Sequence, residues 1–220
     1  MFNKLIQLLD WIYEKRCYIC NNSSIEDVCQ NCLSKITLNK PVSTKTYKGY
    51  KIFCATSYQD GMKKLIRGIK YHNKKSLSPY VARVLIDFWH ALPEDIQQKK
   101  YQILPMPLYK TRQNRRGYNQ STIIAKDFAK AFDKGKFSVN EKLAIRIKNT
   151  KPLYKLNKKE REEALRGAFA WIGKDIDKDA NILIIDDIAT TGSSCFSLID
   201  TLLNVGVDNI LVLTCCSVGE

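Results

Sequence analysis

The sequence predicts an α/β protein in which a parallel sheet carries helices on both faces, preceded by a small cysteine module. Three observations lead there. The apolar run Ile182-Leu-Ile-Ile185 leads straight into Asp186 and Asp187, and reads as a parallel strand buried on both faces. Strand-like and helix-like segments alternate between residues 50 and 216, the pattern of a sheet crossed by helices. Near the amino terminus stand two C-x2-C knuckles, Cys17 to Cys20 and Cys29 to Cys32, with eight residues between them.

Each element has its own signal. Residues 1–13 read as an amphipathic helix with Phe2, Leu5, Ile6, Leu9, Ile12 and Tyr13 along one stripe. That stripe either packs on its own domain or docks a partner or membrane surface. Gln7 and Asp10 interrupt it, so it is not a secretory signal. Leu38 to Pro41 reads as a linker and divides the chain into 1–40 and 41–220. Tyr50, Ile52, Phe53 and Tyr58 mark a strand, and residues 62–71 a helix with a basic face. Pro79 opens a helix through Trp89. Residues 101–107 form a strand stopped by two prolines, and 119–132 a helix with Asn119 as its cap. Residues 147–160 are Lys-rich with few apolar anchors, and read as a mobile loop. A helix over 194–205 and a core strand over 209–216 complete the domain.

Composition bounds the function. At 220 residues, 45% of them hydrophobic and 26% charged, the chain fits one main domain with an appendage. Its net charge of +14, from 36 Lys and Arg against 22 Asp and Glu, suits a polyanionic partner such as nucleic acid, or simply a solvated lysine surface. No apolar run reaches the roughly 20 residues that cross a bilayer. Eight cysteines without an export signal argue against a disulfide framework. Cys54, Cys195, Cys215 and Cys216 lie in or near apolar stretches and read as buried thiols. Cys17, Cys20, Cys29 and Cys32 read instead as the four ligands of a closed, structural Zn²⁺ site. A set of four cysteines also suits an iron–sulfur centre, and a single C-x-x-C a redox pair. The polar segment 21–28 has little core of its own, so a metal would supply its folding energy. His72 and His90 are far off in sequence and read as ordinary helix or loop residues.

The chemistry concentrates in two places. After the strand at 182–186 comes the turn Ala189, Thr190, Thr191, Gly192, Ser193, Ser194, and then a helix. Ligands of open α/β sheets sit at such strand ends, and the free N–H groups and dipole of the helix favour an anion. Gly192 admits a close backbone approach, and the hydroxyls donate to phosphate oxygens. Asp186 and Asp187 would repel a phosphate but suit sugar hydroxyls or Mg²⁺, so the string reads as a phosphorylated-sugar site. The second place is Lys110, Arg112, Arg115 and Arg116, in a basic loop just past the 101–107 strand. Their forks suit pyrophosphate oxygens.

Residues 182–194 resemble the phosphoribosyl-pyrophosphate loop of the type I phosphoribosyltransferases. The wider layout resembles the ComF family of competence proteins over nearly the whole chain. The elements that carry it are the two knuckles, Lys70-Tyr71, Pro105-x-Pro107, Arg116-Gly-Tyr-Asn-Gln120, Arg166-Gly-Ala-Phe169, Asp186-Asp187 and Thr190-Thr-Gly192. The family pattern has Gln where Leu153 stands and Asn where Ala164 stands. The resemblance implies a type I phosphoribosyltransferase-like sheet. In it the paired acids would hold the ribose hydroxyls, the turn the 5′-phosphate, and the basic residues the pyrophosphate, with Mg²⁺ as companion. It also implies a cytoplasmic protein of natural transformation that handles incoming single-stranded DNA at the inner face of the inner membrane. Three roles follow as expectations: a ligand-binding DNA-uptake factor, an active phosphoribosyltransferase, or an adaptor whose cysteine module docks a DNA-uptake helicase or channel.

Overall fold

The computed structural model describes residues 15–37, 43–150, 158–173 and 179–218. The helix expected over 1–13, the linker at 38–41, Leu153 and residues 151–157 of the loop expected at 147–160 lie outside these residues. Among the described residues no helix is long and apolar enough to cross a membrane.

The fold is mixed α/β around a mostly parallel sheet, as the sequence predicts. Six strands run in the order β1 (Ser43–Tyr47), β2 (Tyr50–Ser57), β8 (Ile210–Ser217), β7 (Ile182–Ala189), β3 (Tyr101–Pro105), β4 (Phe137–Val139). β1 runs antiparallel to β2, and every other neighbouring pair is parallel. A separate antiparallel pair joins β5 (Ala144–Arg146) to β6 (Phe169–Trp171).

β7 shows why the apolar run reads as a central strand. Its neighbouring side chains leave on opposite faces. Ile182 and Ile184 enter one hydrophobic core, while Leu183 and Ile185 enter the other. The core around Leu183 and Ile185 holds helices α2 (Asp60–Tyr71), α3 (Ser78–His90) and α6 (Gln120–Ala129), through residues such as Ile66, Leu85 and Phe128. The core around Ile182 and Ile184 holds α8 (Ser193–Leu203), through Leu198, Ile199 and Leu202, together with Leu165 of α7 (Lys158–Leu165) and Phe169 of β6. A short α4 (Glu94–Gln97) precedes β3.

The cysteine module, with its helix α1 (Gln30–Thr37), seats on α2. Cys17, Val28 and Ile36 share a core with Met62, Ile66 and Ile69. The seat is close because α2 has glycine where the module touches it. A Cβ at Gly61 would lie 2.8 Å from Ile36, and one at Gly68 would lie 2.9 Å from the Tyr18 hydroxyl. Lys64 Nζ donates to the Ile19 carbonyl at 2.6 Å, and Tyr18 Oη lies 2.9 Å from His72 Nδ1. His72, remote in sequence, is thus a neighbour of the knuckles in space.

Two sequence expectations are corrected. The basic segment after β3 is a helix, α5 (Lys110–Arg116), rather than a loop. It lacks an apolar stripe, and Gly117 ends it at φ +80°, in the left-handed region. The carboxyl end of the segment expected as a loop at 147–160 begins α7 at Lys158.

Candidate functional site

β7 delivers both carboxylates to the carboxyl edge of the sheet and then enters the hydroxyl turn. Pairing with β8 continues to Ala189, so Asp186 and Asp187 stand inside the strand, and both are buried. Asp186 Oδ1 accepts from Ser121 Oγ at 3.1 Å and from the Asp187 N–H at 2.9 Å. Burial, then the Asp187 charge, push its carboxyl up to about 7. Asp187 Oδ2 lies 2.5 Å from Lys70 Nζ at the end of α2. Burial opposes the ammonium, but the Asp187 carboxylate outweighs it and raises the Lys70 pKa.

The turn borders a small open hollow lined by Asp186, Ala189, Thr190, Thr191, Gly192, Ser193 and Ser194, with Ile188 and Cys195 beside them. Gly192 sits at φ +80°, and a Cβ there would lie 2.8 Å from the Phe196 ring. Thr191 Oγ1 and Ser193 Oγ are 2.6 Å apart, so the hydroxyls are gathered before any ligand arrives. Asp187 is absent from the lining because it turns to Lys70.

A second, larger open cleft is lined by Lys70, Tyr71, Asn73, Arg112, Arg115 and Arg116. Three of the four basic residues read from the sequence therefore converge; Lys110, exposed at the start of α5, does not line the cleft. Tyr118 explains the convergence, because its hydroxyl donates to the Ile69 carbonyl and ties the end of α5 to the last turn of α2. Asn119 caps α6 as expected, accepting from Ser121 N–H at 3.0 Å, and its amide donates to the Met106 carbonyl at 3.0 Å.

Among the described residues none of these arginines has a carboxylate in ion-pair range. Burial, then Arg115 and Arg116, lower the Arg112 pKa. Sequence reasoning missed one member of the neighbourhood and gave another no role. Lys70 was legible only as part of a motif. Arg146 of β5 is buried, donates from Nη2 to Thr150 Oγ1 at 2.7 Å, and is lowered to about 10 by burial and then by Arg112. Arg112 donates to the Thr150 carbonyl, so both guanidiniums meet at one residue. A lone Arg between two isoleucines gave no signal of this.

The four knuckle sulfurs lie within 4.8 Å of one another, close enough to hold a metal ion such as zinc. Cys20 and Cys29 Sγ are 3.8 Å apart, the edge of a tetrahedron with metal–sulfur bonds of about 2.3 Å. Burial raises the Cys17 thiol, but N–H donors including Cys20 and Cys29 outweigh it and bring it to about 6. Burial and the neighbouring sulfurs push Cys32 up to about 12. Such a set does not ionise together without a cation at its centre. Cys54, Cys195, Cys215 and Cys216 are buried as expected, and burial raises the last three thiols well above their ordinary value.

The fold and site thus define an α/β protein with a hydroxyl-rich turn at a strand end, a basic cleft beside it and a cluster of four cysteines that could hold a metal ion. No protein-family model matches the sequence. The chain is 29% identical over 157 residues to "Competence protein F" of Haemophilus influenzae, covering 70% of this chain and 67% of that one. It is 22% identical over 212 residues to "DNA utilization protein YhgH" of Escherichia coli K12, covering 91% and 89%. The protein of that name in Salmonella typhimurium is 23% identical over 167 residues, covering 76% and 71%. These relatives bear out the resemblance to the ComF family of competence proteins.

Proposed function

We propose that this chain binds phosphoribosyl pyrophosphate with Mg²⁺ and serves the uptake and use of DNA, holding single-stranded DNA on its basic face. The observation that carries the reading is the adjacency of two unlike anion sites, joined by Lys70, which lines the cleft while pairing with Asp187. The hydroxyl turn suits the 5′-phosphate and the arginine cleft suits the pyrophosphate. Arrival of pyrophosphate draws Lys70 towards the phosphate oxygens and releases Asp187 to the ribose hydroxyls, beside Asp186. Mg²⁺ would enter with the pyrophosphate and offset its charge, with Asp186 as the carboxylate facing the hollow.

The DNA role is supported by the names of the relatives, the net charge of +14 and one exposed ring. Tyr71 is 62% exposed on the cleft, with the Arg67 guanidinium 5.9 Å from its ring. An open aromatic face among cations suits a stacked base beside its phosphates. The knuckle site takes structural Zn²⁺ in this reading. The protein works in the cytoplasm at the inner face of the inner membrane, where a helicase or channel of DNA uptake is its partner.

Calorimetric titration of phosphoribosyl pyrophosphate with Mg²⁺ tests the ligand. Wild type binds, and Asp186→Asn with Asp187→Asn weakens binding at least about tenfold, the loss of one good charged contact; equal affinity would overturn the assignment. Polarisation of a labelled single-stranded oligonucleotide tests the partner. Its affinity falls steeply with added salt, whereas absent or salt-independent binding contradicts the DNA role.

A further inference from the structure

We propose that Lys45 is the counter-ion of the phosphomonoester in the 189–194 turn, which makes the β1–β2 hairpin part of the binding site. The inference rests on the sugar-phosphate reading and adds a residue that no motif contains. The hollow has a charge problem: its lining offers hydroxyls, backbone N–H groups and the acidic side chain of Asp186, but no cationic side chain. A phosphomonoester carries about −1.5 to −2 at neutral pH. Neutral donors beside an acidic side chain are a poor match for that charge unless a cation stands near.

Lys45 is that cation. Its half-buried side chain reaches from β1 to donate to the carbonyl of Thr190, a lining residue of the hollow. It is near enough to Cys195, in the first turn of α8, to act on that thiol electrostatically. Its neighbours hold the strand in place. Tyr47 stacks on Phe196 with centroids 4.4 Å apart and donates to Asp200 Oδ2 at 2.8 Å. Lys48 donates to Asp200 Oδ1 at 2.7 Å. The contrast between the two lysines is decisive. Lys48 has its carboxylate, whereas Lys45 has none among the described residues and rests on a loop carbonyl. A carbonyl satisfies an N–H donor without neutralising its charge, so the ammonium is free to turn to a phosphate oxygen. β1 also explains itself this way: among the described residues it is an edge strand that pairs with β2, with Lys45 opposite Ile52.

Lys45→Gln separates counter-ion from structural tie, because the amide still donates to a carbonyl but carries no charge. Three ligands are titrated calorimetrically in parallel: ribose 5-phosphate, pyrophosphate and phosphoribosyl pyrophosphate. Lys45→Gln is expected to weaken ribose 5-phosphate about tenfold or more. Lys45→Arg restores most of that affinity, and Lys130→Gln, an exposed lysine after α6 paired with Asp127, leaves it at the wild-type value. Pyrophosphate, which belongs to the arginine cleft, binds all four proteins alike and reports that the fold is intact. Wild-type affinity of Lys45→Gln for ribose 5-phosphate overturns the inference and spares the sugar-phosphate reading. Loss of ribose 5-phosphate and pyrophosphate together overturns it in favour of a structural tie. A wild type that binds neither fragment removes the reading and the inference at once.

Discussion

The turn at 186–194 and the cleft at 70–73 and 112–116 lie side by side but are built in opposite ways. The turn is a single stretch of chain. Its donors are hydroxyls and backbone N–H groups, held by a left-handed glycine and the start of α8. The cleft is assembled from α2 and α5, and its arginines are long cationic donors without carboxylate partners among the described residues. In the proposed reading the turn's own donors recognise by shape and the cleft by charge. One breaks when a methyl group intrudes, the other when its supports shift. Lys70 and Asp187 are the point where the two meet.

The largest expected effect comes from the support of the cleft. Cys29→Ser with Cys32→Ser removes two of the four sulfurs of the module that seats on α2. Loss of a structural metal site costs on the order of several kcal/mol, read as a lower unfolding midpoint. Pyrophosphate affinity should then fall more than ribose 5-phosphate affinity; an equal loss would erase the distinction between the two halves. Next is the junction itself. Lys70→Met leaves Asp187 buried without its cation, and should destabilise by about 3 kcal/mol in urea unfolding. Adding Asp187→Asn should recover part of that loss, and additive effects would mean the pair is not coupled.

Asp186 gives a smaller effect with a defined sign. Its carboxyl is raised from 3.8 to about 7, so the folded state holds the proton more tightly than the unfolded chain. Its stabilising contribution is complete below about pH 4 and is lost as pH rises through about 7. Asp186→Asn should remove that loss and gain about 1–3 kcal/mol over wild type at about pH 8, with little difference at about pH 4. A constant difference across that range would contradict the burial argument.

The smallest contrast compares two glycines at the same φ of +80°. Gly192→Ala meets Phe196 at 2.8 Å, while Gly117→Ala meets open space. Thermal unfolding should show a cost of about 1 kcal/mol at Gly117 from the left-handed backbone alone, and roughly 1–2 kcal/mol more at Gly192. Equal costs would mean the turn is not crowded.

The same contrast decides what could be read from the chain. The turn was legible because strand, carboxylates, hydroxyls and glycine follow one another in a single run. The knuckles were legible through their spacing, α6 and α8 through their apolar periods, α2 through its basic face and α3 through Pro79 at its start. The cleft was legible only as basic residues near a strand end. Nothing local says that Tyr118 brings Ile69, and with it Lys70, to Arg112. α5 looked like a loop because Lys-Thr-Arg-Gln-Asn-Arg-Arg has no apolar face. Two arginines followed by Gly117 were the overlooked signal, a basic last turn with a left-handed cap. β1 is a polar edge strand that exists through its pairing with β2, and β4, β5 and β6 are three residues each, too short for any period to show.

The central claim is that turn and cleft hold the two ends of one ligand. The most direct test compares the affinity of phosphoribosyl pyrophosphate, with Mg²⁺, against ribose 5-phosphate and pyrophosphate titrated separately. Two fragments joined in one ligand bind with the advantage of linkage. Phosphoribosyl pyrophosphate should therefore bind at least about a hundredfold tighter than either fragment, and Arg112→Ala with Arg116→Ala should remove that advantage while sparing ribose 5-phosphate. An affinity no tighter than that of pyrophosphate alone would contradict the account.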